Sequence, residues 1–174
     1  MCARSGGVLA PRRETRRVRL LHDGAMSYKR ILTGTDGSPP SLEGVRHAAA
    51  VAKASGAELV IMCVYRPVDP VTVEQWKEQA PPEFAWRLGP ASPAEGAVER
   101  GVAVAKEMGV EARTRVEQGD PAETILKVAE LEDADLIVVG NRGMEGPSRF
   151  LLGSVPNVIS HHAPCDVLIV KTYP

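Results

Sequence analysis

The chain has 174 residues, 44% of them hydrophobic, which is enough to bury the core of one globular domain. Its formal net charge of −1 gives no reason to expect nucleic acid or an anionic membrane as a partner, and no apolar run approaches the roughly 20 residues that cross a bilayer. The cysteines, Cys2, Cys63 and Cys165, form no C-x-x-C pair, so the sequence favours a reducing cytoplasm over a disulfide frame or a zinc site.

The leading segment differs from the rest of the chain in its charge. Residues 1–25 carry six arginines against Glu14 and Asp23, a net charge of +4 that leaves −5 for the remainder. They have neither helical nor strand periodicity, so they are predicted to be a disordered basic extension, and residues 26–174 are predicted to form a single domain. Two interpretations of the extension stay open. It is either an over-called upstream start, which is favoured, or a basic arm that touches an acidic partner.

Two strands and a helix are predicted in the first part of the domain. Residues 29–34 are β-prone and run into the sequence TGTDGS. Ser38 followed by Pro39 is typical of a helix N-cap and first turn, and Gly56 ends the apolar stripe of that helix. Glu58–Tyr65 is a near-continuous apolar run, which is typical of a strand covered on both faces.

The middle of the chain is divided by prolines. Residues 66–93 contain six of them, which forbids long regular structure, although a short helix fits residues 71–79. Residues 94–108 have the pattern of a helix that ends at Gly109. In residues 110–116, small and apolar side chains alternate with charged ones, which predicts a strand near an edge of the sheet with one wet face.

The last third contains two helices and two strands. Asp120 and Glu123 form a capping pattern at the start of a helix, and its buried side is predicted to be Ile125, Leu126, Ala129 and Leu131. Residues 135–139 are the predicted fourth strand, a helix runs through His161, and residues 165–170 (CDVLIV) are the fifth strand.

Alternating strands and helices at this spacing predict a parallel sheet with right-handed crossovers and helices on both faces. In such sheets the ligand crevice lies at the carboxyl ends of two strands where the winding direction reverses. Residues of the types that contact ligands directly follow the first and fourth strands, so these two strands are expected to be neighbours in the sheet. The strand order is then 3-2-1-4-5.

Residues 140–154, GNRGMEGPSRFLLGS, join the fourth strand to a helix. Backbone N–H groups and the positive end of a helix then meet at one place, which is suited to holding a phosphate. Gly140, Gly143 and Gly153 allow positive φ and close approach of a ligand, and Ser154 adds a hydroxyl at the expected N-cap. The alternative is an ordinary connection that happens to contain glycines.

Together, the TGTDGS stretch, the spacing Gly140-x2-Gly143-x9-Gly153-Ser154 and the closing CDVLIV strand resemble the ATP-binding branch of the universal stress protein family. The resemblance runs from about Lys29 to Thr172. It implies a Rossmann-like, adenine nucleotide alpha hydrolase-like α/β fold with a five-stranded parallel sheet of order 3-2-1-4-5. It also implies ATP, with or without Mg²⁺, as the ligand.

The resemblance further implies a set of site residues in three groups. One group lies at the nucleoside, where the Asp36 carboxylate suits ribose hydroxyls or an adenine edge, although Asp36 could instead cap the following helix. The second group lines adenine and ribose, and the third surrounds the phosphates, where Arg142 could neutralise charge. The members of the three groups are, in order, Gly34, Thr35 and Asp36; Val64, Val139 and Gly140; and Gly143, Gly153, Ser154 and Val155. Arg142 is added to the third group because its charge lies inside the phosphate stretch, although it could instead be merely solvated.

Neither a G-x-S-x-G elbow nor a lysine-bearing P-loop is present, so any ATP hydrolysis is expected to be slow, and no catalytic residue is assigned. No metal ligand is assigned either. Adjacent residues on a helix point about 100° apart, so the pair His161-His162 suits a helix end better than a metal. Cys63 and Cys165 fall in predicted buried strands, where cysteine behaves as a small hydrophobic residue.

The leading hypothesis is therefore a cytoplasmic, ATP-binding stress protein in which the nucleotide is a conformational signal. The resemblance implies a homodimer in which the last strand, Asp166–Val170, pairs across a two-fold axis. Two alternatives stay open: a cyclic AMP-binding member of the same family, and an interaction or chaperone-like dimer that uses no nucleotide. The protein partner is not indicated by the sequence.

Overall fold

The computed structural model describes residues 19–20, 26–66, 68–85, 88–141 and 152–172. The strands are β1 (Arg19–Leu20), β2 (Met26–Ser27), β3 (Arg30–Gly34), β4 (Glu58–Tyr65), β5 (Ala112–Gln118), β6 (Leu136–Gly140) and β7 (Asp166–Val170). The helices are α1 (Pro39–Ser55), α2 (Pro70–Gln79), α3 (Pro82–Ala85), α4 (Ser92–Glu107), α5 (Pro121–Leu131) and α6 (Ser154–His162).

The main sheet has five parallel strands in the order β5-β4-β3-β6-β7. Since β3 to β7 are the predicted first to fifth strands, the predicted order 3-2-1-4-5 is confirmed. The winding direction reverses between β3 and β6, which pair from Ile31↔Leu136 to Thr33↔Val138. The carboxyl ends of these two strands therefore lie side by side.

Helices cover both faces of the sheet. On one face α1 and α4 pack against side chains such as Ile31 and Ile61, and the small residues Ala48, Ala49 and Ala52 let α1 lie close to the strands. On the other face α5 and α6 pack against the alternate side chains of the same strands, among them Leu32, Val60 and Ile137. The central strands are buried on both sides, as their continuous apolar runs predict.

The predicted helix boundaries agree with the structure at α1 and α5. Ser38 Oγ accepts a hydrogen bond from Ser41 N (3.4 Å), and Gly56 ends α1 with φ of 68° while its N–H donates to Ala52. The Asp120 carboxylate accepts from the amides that follow Pro121 at the start of α5. These caps satisfy amides and carbonyls that the helices themselves leave without partners.

Three details differ from the prediction. Leu131 is 66% exposed because it lies in the last turn of α5, beyond the stripe that faces the sheet. The N-cap of α6 is Gly153, and Ser154 is its first helical residue, so the expected cap by the serine hydroxyl is wrong. Within the basic leading segment, Arg19–Leu20 form a strand antiparallel to Met26–Ser27, where no strand is predicted; the rest of residues 1–25 lies outside the described residues.

An ion-pair network closes the amino end of the sheet. Glu132, at the end of α5, is 7% exposed and accepts hydrogen bonds from Arg113 (2.6 Å) and Arg115 (2.8 Å) of β5. Glu58 of β4 accepts from Arg30 of β3 (2.7 Å) and from Arg113. The guanidinium groups hold the pKa values of both carboxyls below their ordinary value of 4.5. The network thus joins three strands and one helix at this end.

The two edges of the sheet have different surfaces. β5 carries alternating charges on one edge, as predicted, while β7 on the other edge carries Val167, Leu168 and Ile169, with Leu168 37% exposed. In the described part of the chain, no helix has the length and apolar character needed to span a membrane.

Candidate functional site

A cleft of about 410 Å³ opens at the carboxyl end of the sheet, between the ends of β3 and β6. This volume falls in the range of small-molecule sites. The predicted site residues that line it are Gly34, Thr35, Asp36, Val64, Val139, Gly140, Gly153, Ser154 and Val155. The other two, Arg142 and Gly143, lie outside the described residues. The structure thus brings the turn after β3 and the start of α6 to one space.

Six further residues line the cleft that the sequence analysis did not identify: Ser41, Met62, Arg66, Pro121, Ile125 and Pro156. Two of them carry a signal in the sequence. Ser41 follows the Ser38 cap by three residues, and Arg66 follows Val64 by two, which is the repeat of a strand face. Pro121 and Ile125 belong to α5, whose position over the cleft depends on the topology of the whole sheet.

The turn after β3 is held by hydrogen bonds to each of its amides. Thr35 N donates to Met62 O of β4 (2.8 Å), Gly37 N donates to Thr35 Oγ1 (3.0 Å), and Ser38 N donates to Asp36 Oδ1 (2.9 Å). Gly37 has φ of 76°, a left-handed conformation that favours glycine. The backbone that carries Asp36 is therefore constrained before any ligand arrives.

Ser41, in the first turn of α1, completes this turn from the side of the helix. Its hydroxyl lies 2.9 Å from Thr35 Oγ1, donates to Ser38 O (3.0 Å) and accepts from Asp36 N (3.3 Å). One hydroxyl thus connects three residues of the turn to the start of the helix. Its loss would leave the Asp36 amide without this partner.

Asp36 is half-buried and lines the cleft. Burial raises its pKa, but hydrogen bonds, among them the one from the Ser38 amide to Asp36 Oδ1, outweigh burial and hold the pKa below its ordinary value of 3.8. The group is therefore an anion at neutral pH. An ionised carboxylate is an acceptor only, so it suits a ligand that offers O–H or N–H donors.

A stretch of β4 extends beyond its partner β3. The pairing of β3 with β4 ends at Gly34↔Met62, whereas β4 continues beside β5 to Tyr65. Met62 O accepts from Thr35 N, directly after β3, and Tyr65 O accepts from Gly119 N, directly after β5. By alternation, the Val64 N–H and C=O therefore point toward the β3 side. Among the described residues, their one hydrogen-bond contact is a distant one from Cys63 Sγ to Val64 O (3.9 Å). The free edge of β4 thus offers one donor and one acceptor to the cleft.

The start of α6 forms the opposite wall. Its N-cap Gly153 donates a hydrogen bond from its N–H to the carbonyl of Asn141, the residue after β6 (3.0 Å), and no side chain of the described residues caps the helix. Pro156 has no N–H, so the amides of Ser154 and Val155 are the unpaired donors of this first turn within the described chain. Gly153 has φ of −58° and ψ of 159°, and Gly140 also lies outside the positive-φ region, so neither glycine adopts the positive φ that its residue type allows. Two amides and a helix dipole therefore face the cleft.

Arg66 is the one cation that lines the cleft among the described residues. It is exposed and lies directly after β4, and within the described chain no carboxylate pairs with it. The Arg66 guanidinium and the amides of Ser154 and Val155 line the same cleft and contribute positive potential to it, whereas Asp36 contributes a negative charge.

Comparison with known proteins agrees with this fold. The model of the universal stress protein family matches residues 27–171. The chain belongs to this family. A universal stress protein of Methanocaldococcus jannaschii is 37% identical over 155 residues, which cover 87% of this chain and 87% of the relative.

Solved universal stress proteins have the same architecture. One in complex with cAMP is 31% identical, with a TM-score of 0.64, and the match covers 84% of this chain and 99% of that one. Another, from Archaeoglobus fulgidus in complex with dAMP, has a TM-score of 0.60 at 21% identity and covers 84% of this chain and 100% of its own. The second likeness supports the fold, and the names of both describe adenine nucleotide complexes of those proteins.

In this universal stress protein the described cysteines are not poised as nucleophiles. Burial, and next the charge of Asp36, raise the pKa of Cys63 to about 11, against a smaller opposing effect of Arg100. Burial and the nearby Asp166 and Asp135 raise the pKa of Cys165 to about 12. Both groups are thus protonated thiols at neutral pH, which agrees with a packing role.

Proposed function

We propose that this universal stress protein binds ATP in the cleft between β3 and β6 and uses the bound nucleotide as a conformational signal. The observation that carries the proposal is the meeting of three features at one space: the Asp36 carboxylate, the free edge of β4 and the unpaired amides of α6. Each of the three matches a different part of an adenine nucleotide. The position also agrees with the general rule for ligands of doubly wound sheets.

The nucleoside would occupy the side of Asp36 and Val64. A carboxylate accepts two hydrogen bonds from the ribose hydroxyls. The Val64 N–H and C=O match the acceptor N1 and donor N6 on the edge of adenine, while Met62 and Ile125 supply an apolar surface for the ring. The same groups make fewer matched contacts with a ribose phosphate alone, so the base contributes to the choice of ligand.

The phosphates would lie against the start of α6. The amides of Ser154 and Val155 and the Ser154 hydroxyl are donors there, and Arg66 adds positive charge. Arg142 and Gly143 are proposed to complete this group. Each hydrogen bond to a charged phosphate contributes about 1.5–3 kcal/mol, and four or five of them, less the entropy lost on binding, correspond to roughly micromolar affinity. Mg²⁺, which keeps most of its water ligands, would enter with the phosphates.

The functional unit is proposed to be a cytoplasmic homodimer formed through β7. This strand leaves one edge of the sheet unpaired and carries exposed Leu168, and a bare apolar edge favours association with another strand. Pairing of two copies of Asp166–Val170 across a two-fold axis would cover both edges. Sedimentation velocity of the purified protein tests this, since a monomer at micromolar concentration would contradict it.

Cyclic AMP is the second candidate ligand. It is favoured by the 31% identical universal stress protein solved with cAMP. A cyclic monophosphate needs fewer phosphate donors, so the amides of α6 would be enough without Arg66. The two ligands would compete for one cleft, and a nucleotide-free interaction dimer would bind neither.

Calorimetric titration with ATP, cyclic AMP and adenosine tests the proposal. Asp36→Asn keeps the size of the side chain but removes its charge, and it should weaken ATP and adenosine binding about tenfold, since a charged hydrogen bond is lost. The matched control is Asp133→Asn, an exposed aspartate with φ of 50°, which asparagine also tolerates. It should bind as wild type does. Undiminished ATP binding by Asp36→Asn, or no nucleotide binding by wild type, would contradict the proposed site.

A further inference from the structure

Arg100, on the exposed side of α4, contacts the turn that carries Asp36 although it does not line the cleft. Its Nε donates a hydrogen bond to the carbonyl of Gly37 (3.3 Å). The amides of residues 35–38 find their partners within the turn, α1 and β4. The Gly37 carbonyl, by contrast, has its hydrogen-bond partner in Arg100, which belongs to a different part of the fold.

The shape of the turn fits the arginine closely. A Cβ placed on Gly37 would lie 2.1 Å from Arg100 Nη2 and 2.8 Å from its Cζ, so any side chain there would displace the guanidinium. A Cβ on Gly96, one helical turn before Arg100, would lie 3.6 Å from Nη1, at ordinary contact distance. The guanidinium thus lies against two glycines, one on the turn and one on its own helix.

The packing of α4 determines where Arg100 lies. Gly101 is buried, and a Cβ there would meet Ile61 Cγ2 at 3.1 Å and Thr35 Cγ2 at 3.5 Å. The helix can approach β4 and the turn this closely because residue 101 has no side chain. Since Gly101 directly follows Arg100, this contact brings the guanidinium over Gly37.

We propose that Arg100 is a positioning residue for the nucleotide, which holds Gly37 and thereby keeps the Asp36 carboxylate directed at the ribose. The inference rests on the proposed function, since it assigns to the same cleft a residue outside its lining. It also connects α4, the helix that follows the proline-rich segment, to the nucleoside side of the site. A displacement of α4 would change ligand affinity through this contact.

The experiment compares Arg100→Ala, Arg100→Lys and the control Glu99→Ala, an exposed neighbour on α4. Arg100→Ala should weaken adenosine binding about three- to tenfold in calorimetry. Arg100→Lys, which keeps a donor for the Gly37 carbonyl, should bind more tightly than Arg100→Ala. Glu99→Ala should bind as wild type does, and thermal melting should be similar in all three because both side chains are exposed.

Two further measurements separate positioning from a general effect. In the Asp36→Asn background, Arg100→Ala should cost little additional affinity, because its effect passes through that carboxylate. In the ligand-free protein, hydrogen exchange of the Gly37 and Ser38 amides should be faster in Arg100→Ala than in wild type and unchanged in Glu99→Ala. Additive losses, unchanged exchange or undiminished adenosine binding would each overturn the role of Arg100. Absence of nucleotide binding by wild type would instead count against the proposed function, and the exchange measurement would still test the contact.

Discussion

The two ends of the sheet are built in opposite ways. At the amino end, Glu132 and Glu58 are paired with three arginines, and one of these, Arg115, also pairs with Glu117, so each charge there has a partner within the fold. At the carboxyl end, the described residues offer neither a carboxylate partner to Arg66 nor an acceptor to the first amides of α6. Charges with internal partners stabilise the fold, whereas groups without internal partners are available to a ligand. The comparison predicts that the two properties can be changed separately.

The largest effect is expected at Glu132. Glu132→Gln removes the charge that pairs with Arg113 and Arg115, and it should lower the free energy of unfolding by about 2–3 kcal/mol in urea denaturation. Ligand affinity should remain unchanged because Glu132 lies at the other end of the sheet. The exposed neighbour Glu130→Gln is the control, with an expected change within about 0.5 kcal/mol. Equal losses in the two variants would remove the distinction between the ends.

The next effect is expected at Arg66. Arg66→Gln removes positive charge from the cleft, so ATP affinity should fall about tenfold, ADP and AMP affinity by progressively less, and adenosine affinity hardly at all. Lys127→Gln, an exposed cation on α5, is the control for a general change in net charge. A loss of the same size for adenosine and ATP would place Arg66 at the base and not at the phosphates. Calorimetry with the four ligands at one ionic strength measures the series.

The smallest of the three predicted effects is the change of the free energy of unfolding with pH. The pKa values of Glu58 and Glu132 are lower in the folded state than their ordinary value of 4.5. Their stabilisation is therefore complete above that value and is lost as the pH falls through the folded-state pKa values. Urea midpoints measured from about pH 6 down to about pH 3 should fall less steeply in Glu132→Gln than in wild type. If the urea midpoints of Glu132→Gln and wild type fell in parallel with pH, the ion-pair network would contribute nothing to acid sensitivity.

Much of the fold follows from local signals in the sequence. The Ser38 and Asp120 caps and the continuous apolar strands predict each main element, and the placement of chemistry after two strands predicts their adjacency. The predicted N-cap of α6, Ser154, differs by one residue from the observed one, Gly153. Glycine and serine are both acceptable N-cap residues, so the sequence does not distinguish the two positions.

The features that were not predicted depend on contacts between distant residues. Arg30 lies 28 residues from Glu58, and Arg100 lies 63 residues from Gly37. Nothing in the local sequence marks an exposed arginine as the partner of a particular carbonyl or carboxylate. The same holds for Pro121 and Ile125, which reach the cleft because α5 crosses the sheet at that place. These contacts are set by the packed fold.

The length difference between β3 and β4 has a consequence for which molecules can enter the cleft. The Val64 peptide groups on the overhanging strand are hydrated whenever nothing else contacts them. An entering ring must strip that water, and a flat hydrocarbon that returns neither hydrogen bond would lose more than it gains from apolar contact. Because of this desolvation cost, we expect the free edge of β4 to favour heteroaromatic rings over hydrocarbon rings of the same size.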